Sequence, residues 1–184
     1  MKAGEVRIVG GQWKRTKLVV LDKPGLRPTP DRVRETLFNW LGQDLAGWRC
    51  LDAFAGTGAL GLEAASRGAQ AVILVEQDAA LVAQLHKHAQ RLQASAVHIV
   101  RGDGLNALRQ AAPGSCDLIF LDPPFDANLF EPALMAAALA IKASGWVYLE
   151  APSAWPGEAL AAVGLQCHRH LKAGMVHAHL LCVA

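Results

Sequence analysis

No apolar run in this chain approaches the roughly 18–20 residues that a membrane-crossing helix needs, because Gly, Pro or a charged residue interrupts each one. The opening Met1-Lys2-Ala3-Gly4-Glu5 has no apolar signal region either. A soluble, cytoplasmic protein without a membrane partner is therefore expected. Cysteine spaced for metal or redox chemistry is also missing. Cys50, Cys116, Cys167 and Cys182 are scattered without a Cys-x-x-Cys, each in an apolar, strand-like run, and all four read as small buried residues. Nor is there an internal repeat or a low-complexity linker. Charged residues make up 18% of the chain against 52% hydrophobic, a balance that excludes disorder, and 184 residues suit one domain.

The small net charge of +2 hides an asymmetry. Residues 1–34 hold nine basic side chains (Lys2, Arg7, Lys14, Arg15, Lys17, Lys23, Arg27, Arg32, Arg34) and three acidic ones (Glu5, Asp22, Asp31), a local +6 that leaves −4 for the rest. The N-terminal part is thus fitted to meet a polyanion while the body does something else. Within it, Val6-Arg7-Ile8-Val9 and Lys17-Leu18-Val19-Val20-Leu21 read as two strands around Gly10-Gly11, a pair that permits a tight reversal. Trp13 sits beside Lys14 and Arg15, with Arg7 and Lys17 on the strands and Arg27 in the connector. Aromatic and cationic groups so mixed suit looped or single-stranded RNA, although a hairpin edge protected by lysines would look similar. The stiff connector Pro24 to Pro30 leads into a helix over about 30–43, with Thr29 as N-cap, Pro30 at its first position and a stripe of Val33, Leu37, Trp40 and Leu41. Arg34 and Glu35 read as surface residues.

From residue 48 onward strand, turn and helix alternate. Strand-like runs at 49–53, 71–75, 96–100, 116–121 and 145–150 are separated by helical segments at about 59–67, 78–93, 104–111 and 129–142. The pattern predicts an α/β fold with a mostly parallel sheet and helices on both faces. After a helix near 155–163, segments 165–172 and 175–183 read as an antiparallel hairpin turning at Ala173-Gly174. That turn would set His170 opposite His177 and His168 opposite His179, four imidazoles on one face, read as a solvated hairpin face rather than a metal site.

Two strand ends carry the chemistry. Leu51-Asp52-Ala53-Phe54-Ala55-Gly56-Thr57-Gly58-Ala59-Leu60-Gly61 closes the first strand and opens its helix. Gly56, Gly58 and Gly61 form a G-x-G-x-x-G in which missing Cβ atoms let a ligand approach the backbone, and Glu76, at the next strand end, is placed to take a ribose diol. Asp52 would repel a pyrophosphate and attract an ammonium or sulfonium. Asp103 is a further acceptor at the same edge, suited to an adenine amino group or, alternatively, to capping the helix from Gly104. S-adenosylmethionine fits this spread of acids better than a nicotinamide dinucleotide. The second end is Leu121-Asp122-Pro123-Pro124-Phe125, where prolines free backbone carbonyls from the ladder and hold them beside a carboxylate and an aromatic ring. A planar base with an exocyclic amine needs such acceptors and a ring to stack on. An Asx-Pro turn with a packed Phe125 is the plainer alternative.

These motifs, in this order, resemble the class I S-adenosylmethionine-dependent methyltransferases of exocyclic amines. Gly25-Leu26-Arg27-Pro28-Thr29-Pro30-Asp31-Arg32-Val33-Arg34-Glu35-Thr36-Leu37-Phe38-Asn39-Trp40-Leu41 further resembles the bacterial RsmD family of 16S ribosomal RNA guanine-N2 methyltransferases. The resemblance implies a Rossmann-like sheet of seven strands ending in an antiparallel hairpin. It implies S-adenosylmethionine as cofactor, Thr29 and Asp31 near it beside Asp52, Phe54, Gly56, Gly58, Gly61, Glu76 and Asp103, and catalysis at Asp122, Pro123, Pro124 and Phe125. Its partner would be a guanine of 16S ribosomal RNA, within the small ribosomal subunit. Residues 1–29 would be the RNA-contacting extension of a 30–184 transferase domain, and a monomer is expected. The chain departs from the family at Arg15-Thr16, where Gly-Arg is common. A DNA amino-methyltransferase, a dehydrogenase on the same fold and a non-catalytic RNA-binding module are the rival readings.

Overall fold

The computed structural model describes residues 4–125 and 128–184, so Lys2 of the basic segment lies outside the described residues. A two-stranded hairpin, β1 (Gly4–Arg7) and β2 (Lys17–Val20), precedes helix α1 (Asp31–Leu41). Strand and helix then alternate through β3 (Arg49–Asp52), α2 (Ala59–Ser66), β4 (Ala71–Glu76), α3 (Ala79–Leu92), β5 (Val97–Arg101), α4 (Gly104–Gln110), β6 (Cys116–Leu121), α5 (Phe130–Ala140) and β7 (Ile141–Ala151). After α6 (Gly157–Ala162), the hairpin β8 (Leu165–Ala173) and β9 (Val176–Val183) closes the chain. The sheet order is β5-β4-β3-β6-β7-β9-β8, parallel as far as β7 and antiparallel in the last two pairings. This is the expected Rossmann-like fold. The strand order reverses between β3 and β6, and a crevice at the carboxyl ends of such strands is where open α/β sheets take their ligands.

Period-2 alternation divides the side chains into two apolar layers. Cys50, Val72, Leu74, Leu118, Phe120 and Tyr148 face α1, α2, α3 and the N-terminal hairpin. Leu51, Val75, Ile119, Leu121, Val147 and Leu149 face α4, α5 and α6. The hairpin is packed into the body. Val6, Ile8, Leu18 and Val20 are buried in the first layer, the Val9 amide donates to Glu63 Oε2 (2.9 Å), and the Trp13 amide donates to Ser66 Oγ (3.0 Å). Gly10 and Gly11 are needed for that docking: a Cβ on Gly11 would lie 1.9 Å from the Ser66 carbonyl oxygen, and one on Gly10 2.2 Å from the Arg67 guanidinium.

Local expectations at α1 change. Its N-cap is Pro30, which has no side-chain cap bond, because the Thr29 hydroxyl is turned inward to Glu150. Arg34 is 1% exposed rather than on the surface, whereas Glu35 is exposed. Arg34 donates to Glu63 Oε2 (3.0 Å), to Asp31 Oδ1 (2.5 Å) and to the Thr29 carbonyl (3.1 Å), while Arg67 holds the other Glu63 oxygen (3.0 Å). A guanidinium can be buried only when its donors find such acceptors. Cys50 and Cys116 are buried as expected, but Cys167, on the edge strand β8, is exposed, and Cys182, near the end of β9, is half-buried. The terminal hairpin turns at Gly174-Met175, so His170 pairs with His179 and Lys172 with His177, a correction of the sequence register. His168 instead lies against Trp146, with ring centroids 4.9 Å apart.

Two stability outcomes follow. Arg15 takes φ +73°, a region costly for a residue with a Cβ. Arg15→Gly is expected to raise stability by about 0.5–1 kcal/mol in thermal melts, since relief of strain outweighs the entropy that Gly adds to the unfolded chain. Glu63→Ala leaves two buried guanidinium groups without their shared anion and should cost about 3–5 kcal/mol in denaturant titration.

Candidate active site

The register Asp52↔Phe120 makes the tips of β3 and β6 neighbours, so the glycine turn and the Asp-Pro-Pro-Phe corner open on one crevice. Asp52 and Asp122, and Glu76 and Glu150 on the flanking strands, all project toward the same face by alternation from Leu74, Phe120 and Tyr148. Four carboxylates thus line one edge.

Asp52 does not stand at the mouth of the crevice. It is 1% exposed, and its Oδ2 accepts the Gly61 amide (3.1 Å), pinning the first turn of α2 to the end of β3. Its Oδ1 is buried with no hydrogen-bond partner among the described residues. Burial pushes Asp52 up to about 7; the Gly61 and Phe54 amides oppose that rise, and the charges of Glu76 and Glu150 reinforce it. A buried acceptor without a donor is costly, and it is the kind of atom a bound cation or N–H group would satisfy.

Among the glycines, Gly56 (φ +51°) shapes the open part of the turn. Gly61 and Gly58 answer to packing and not to ligand approach. A Cβ on Gly61 would lie 2.1 Å from Leu74 Cδ2 and one on Gly58 2.5 Å from Leu85 Cδ2, so Gly61 lets α2 sit close on β4 and Gly58 lets the turn pack against α3. Phe54, half-buried, packs into the opposite layer from the turn. Glu76 builds the turn as well. Its Oε2 accepts the Gly56 amide (2.9 Å) and its Oε1 the Asp78 amide (2.8 Å), each oxygen keeping a second lone pair. Asp103 is the N-cap of α4, accepting the Asn106 amide through Oδ1 (2.8 Å), as the alternative reading expected, and it remains exposed. The connector crosses the turn. Leu26 Cδ1 would lie 3.3 Å from a Cβ at Gly56, and Lys23 pairs with Asp78 (2.5 Å).

At the second corner Asp122 is half-buried, Pro123 is buried, Pro124 is exposed and Phe125 is 43% exposed. The Phe125 ring rests against Phe130 (6.0 Å between centroids), which in turn meets Trp155 (6.1 Å). One face of the ring is therefore backed and part of it is open for stacking. Burial pushes Asp122 well above the usual carboxylate range, with the charges of Glu150 and Asp52 adding to the rise.

The sequence reading missed Glu150, although it ends its strand just as Asp52, Glu76 and Asp122 end theirs. Glu150 is 4% exposed and its Oε1 accepts both the Thr29 hydroxyl (2.6 Å) and the Tyr148 hydroxyl (2.9 Å). Thr29 is thereby committed to β7, and Asp31 to Arg34 and, more loosely, to Arg7 (3.7 Å). On the hairpin and its connector, Lys14, Arg15 and Arg27 are exposed, Lys17 pairs with Glu5 (2.8 Å), and Trp13 is half-buried against the core rather than free on both faces. The terminal histidines lie at the far edge of the sheet, on β8 and β9.

Comparison with known proteins agrees with this geometry. The family model described as "Conserved hypothetical protein 95" matches residues 6–182. The Ribosomal RNA small subunit methyltransferase D of Escherichia coli K12 is 45% identical over 149 residues, covering 81% of this chain and 73% of that protein. The protein of the same name from Haemophilus influenzae is 44% identical over 152 residues, 80% of this chain and 79% of that one. Among solved structures, the Escherichia coli protein yhhF, named as a candidate methyltransferase, superimposes with a TM-score of 0.83 at 36% identity over 98% of both chains. Matched over nearly its whole length and close to half identical to named relatives, the chain belongs to the RsmD family and is a methyltransferase.

Proposed function

We propose that this methyltransferase uses S-adenosylmethionine to methylate the exocyclic N2 amine of a guanine in 16S ribosomal RNA of the small subunit. The observation that carries the reading is the pairing of β3 with β6, which sets an enclosed carboxylate with an unsatisfied oxygen beside an open Asp-Pro-Pro-Phe corner. The names of the relatives supply the class of RNA. When bound, the donor supplies an electrophilic methyl group on a sulfonium. Asp52, Gly56, Glu76 and Asp103 would hold it, Asp52 through charge and the others along the crevice edge. The bound cation would favour the ionised form of Asp52, which burial otherwise resists in the apo protein.

On the other side of the crevice the target guanine, taken out of its stack, lies on Phe125. The Asp122 side chain and the Pro123 carbonyl accept from its amino group and turn the nitrogen lone pair toward the methyl. An aromatic amine is a poor nucleophile, so most of the acceleration comes from this positioning, where effective molarities of about 10⁵ M and above are attainable. Residues 1–29, through Lys14, Arg15, Arg27, Arg7 and Lys17, act as the RNA-contacting extension of the transferase body at 30–184. Their charge addresses phosphate and leaves base choice to the crevice.

The decisive assay incubates the protein with methyl-labelled S-adenosylmethionine and, in separate arms, undermethylated small subunits, naked ribosomal RNA or DNA. N2-methylguanine in digested RNA is expected; label in DNA alone, or in no nucleic acid, refutes the reading. Asp122→Ala is expected to keep donor affinity within about threefold by calorimetry while transfer falls by at least about 10³-fold. Asp52 makes a pH-dependent outcome. Its native value lies above its unfolded value, so its contribution to stability is complete at acid pH and lost as pH rises through about 7. Asp52→Asn should therefore stabilise the apo protein at pH 8 by at least on the order of 2 kcal/mol in denaturant titration, with little change below about pH 4. The same variant should abolish the release of a proton on donor binding that the wild-type protein shows near neutral pH.

A further inference from the structure

We propose that Glu150 is a positioning residue for the transfer: its fixed charge, one strand over from Asp122, makes Asp122 the base that takes the proton leaving the amine. This rests on the function proposed above and goes beyond it by assigning the proton. Forming the new C–N bond from the nitrogen lone pair, as the methyl–sulfur bond of the donor breaks and its electron pair goes to sulfur, obliges one N–H bond of the amine to break. The bonding electrons stay on nitrogen and the proton needs an acceptor within reach. An ordinary carboxylate is a weak base for it, because proton transfer is most efficient when the acceptor titrates near the working pH.

The geometry supplies the correction. Leu121↔Leu149 is a register pair of parallel strands, so Asp122 and Glu150 follow it as neighbours, about 4.8 Å apart at the backbone. Both project to the face of Phe120 and Tyr148, whose rings meet edge to face at 6.2 Å. The two carboxyls are not equivalent. Burial raises Glu150 as well, but two hydroxyl hydrogen bonds, from Thr29 and Tyr148, and the Arg34 guanidinium oppose that rise, whereas no hydrogen bond reaches the Asp122 side chain among the described residues. Negative charge therefore settles on Glu150, and Asp122 holds its proton more tightly than a lone carboxyl would. The other ionisable groups around the pair are Asp52 on β3, Tyr148 on β7 and Arg34 on α1, whose charge is already divided with Asp31 and Glu63. From β9 the pair meets Ala178, which does not titrate.

The test follows Asp122 by carbon-13 NMR of labelled aspartate, its resonance assigned with Asp122→Asn, in wild-type protein and in Glu150→Gln. Gln keeps an oxygen for Thr29 and Tyr148 and removes the charge. The Asp122 midpoint is expected well above the usual carboxylate range in the wild type and lower by about one to two pH units in Glu150→Gln. Glu150→Asp, which restores a charge, should hold it high. In the methyl-transfer assay kcat rises with pH as Asp122 ionises, so that limb should move to lower pH in Glu150→Gln. Its plateau should fall about three- to tenfold, with KM for the donor unchanged. A wild-type midpoint in the ordinary range, an unmoved midpoint in folded Glu150→Gln, or a pH–rate limb that does not follow the midpoint each overturns the proposal. A wild type that methylates none of the substrates while its Asp122 midpoint still moves overturns the reading of the reaction instead, and leaves the carboxylate pair standing.

Discussion

Glu63, 0% exposed in the middle of α2, is the anion around which the N-terminal half is assembled. One oxygen takes the Val9 amide and Arg34, and the other takes Arg67, so a single carboxylate joins the hairpin, α1 and α2. Arg67 in turn lies over the Phe38 ring at 4.5 Å and bonds Gln43. In a low-dielectric interior such a group is stable only as a complete set, so the parts it joins stand or fall together. The hairpin is further pinned from α3, where His88 meets the Val19 carbonyl at 3.1 Å and Arg91 bonds the Lys17 carbonyl.

That clamp determines what the crevice can do. Arg34 holds the Thr29 carbonyl, Thr29 holds Glu150, and Glu150 stands beside Asp122. A continuous set of hydrogen bonds therefore runs from the basic hairpin to the acidic edge of the sheet. The five acids at that edge differ in how they are held. Glu76 and Asp103 spend oxygens on backbone amides and shape the turns, Glu150 takes two hydroxyls, while Asp52, enclosed, and Asp122, half-buried, have little to balance their charge. Buried charges left short of partners mark places where ligand or chemistry completes the structure.

Much of this was legible in the residues. The alternation of short apolar runs with Ala- and Leu-rich segments set out the parallel sheet, because strands covered on both faces need continuous apolar stretches and strands open to one side do not. The glycine turn, Glu76 and Asp122-Pro123-Pro124-Phe125 stood out because each interrupts a regular element with groups that folding alone does not require. Reading stopped where local sequence had no voice. Arg34 lies on a helix whose pattern allows it to face either way, and only Glu63, 29 residues later, draws it inside. The terminal hairpin could turn at Ala173-Gly174 or one residue further on with no change in composition, and pairing of β9 with β7 selected Gly174-Met175.

The sequence by itself determined the elements, their order and the residues that end the strands, since these depend on periodicity, proline and glycine, which act over a few neighbours. The tertiary structure alone decided which of those strand-end acids are enclosed, which oxygens are already spent and which two carboxyls share a neighbourhood. The reason is physical. The proton affinity of a carboxyl is set by the solvent it loses and the charges it meets, and here those come from β3, β6, β7 and α1, segments that lie scores of residues apart along the chain.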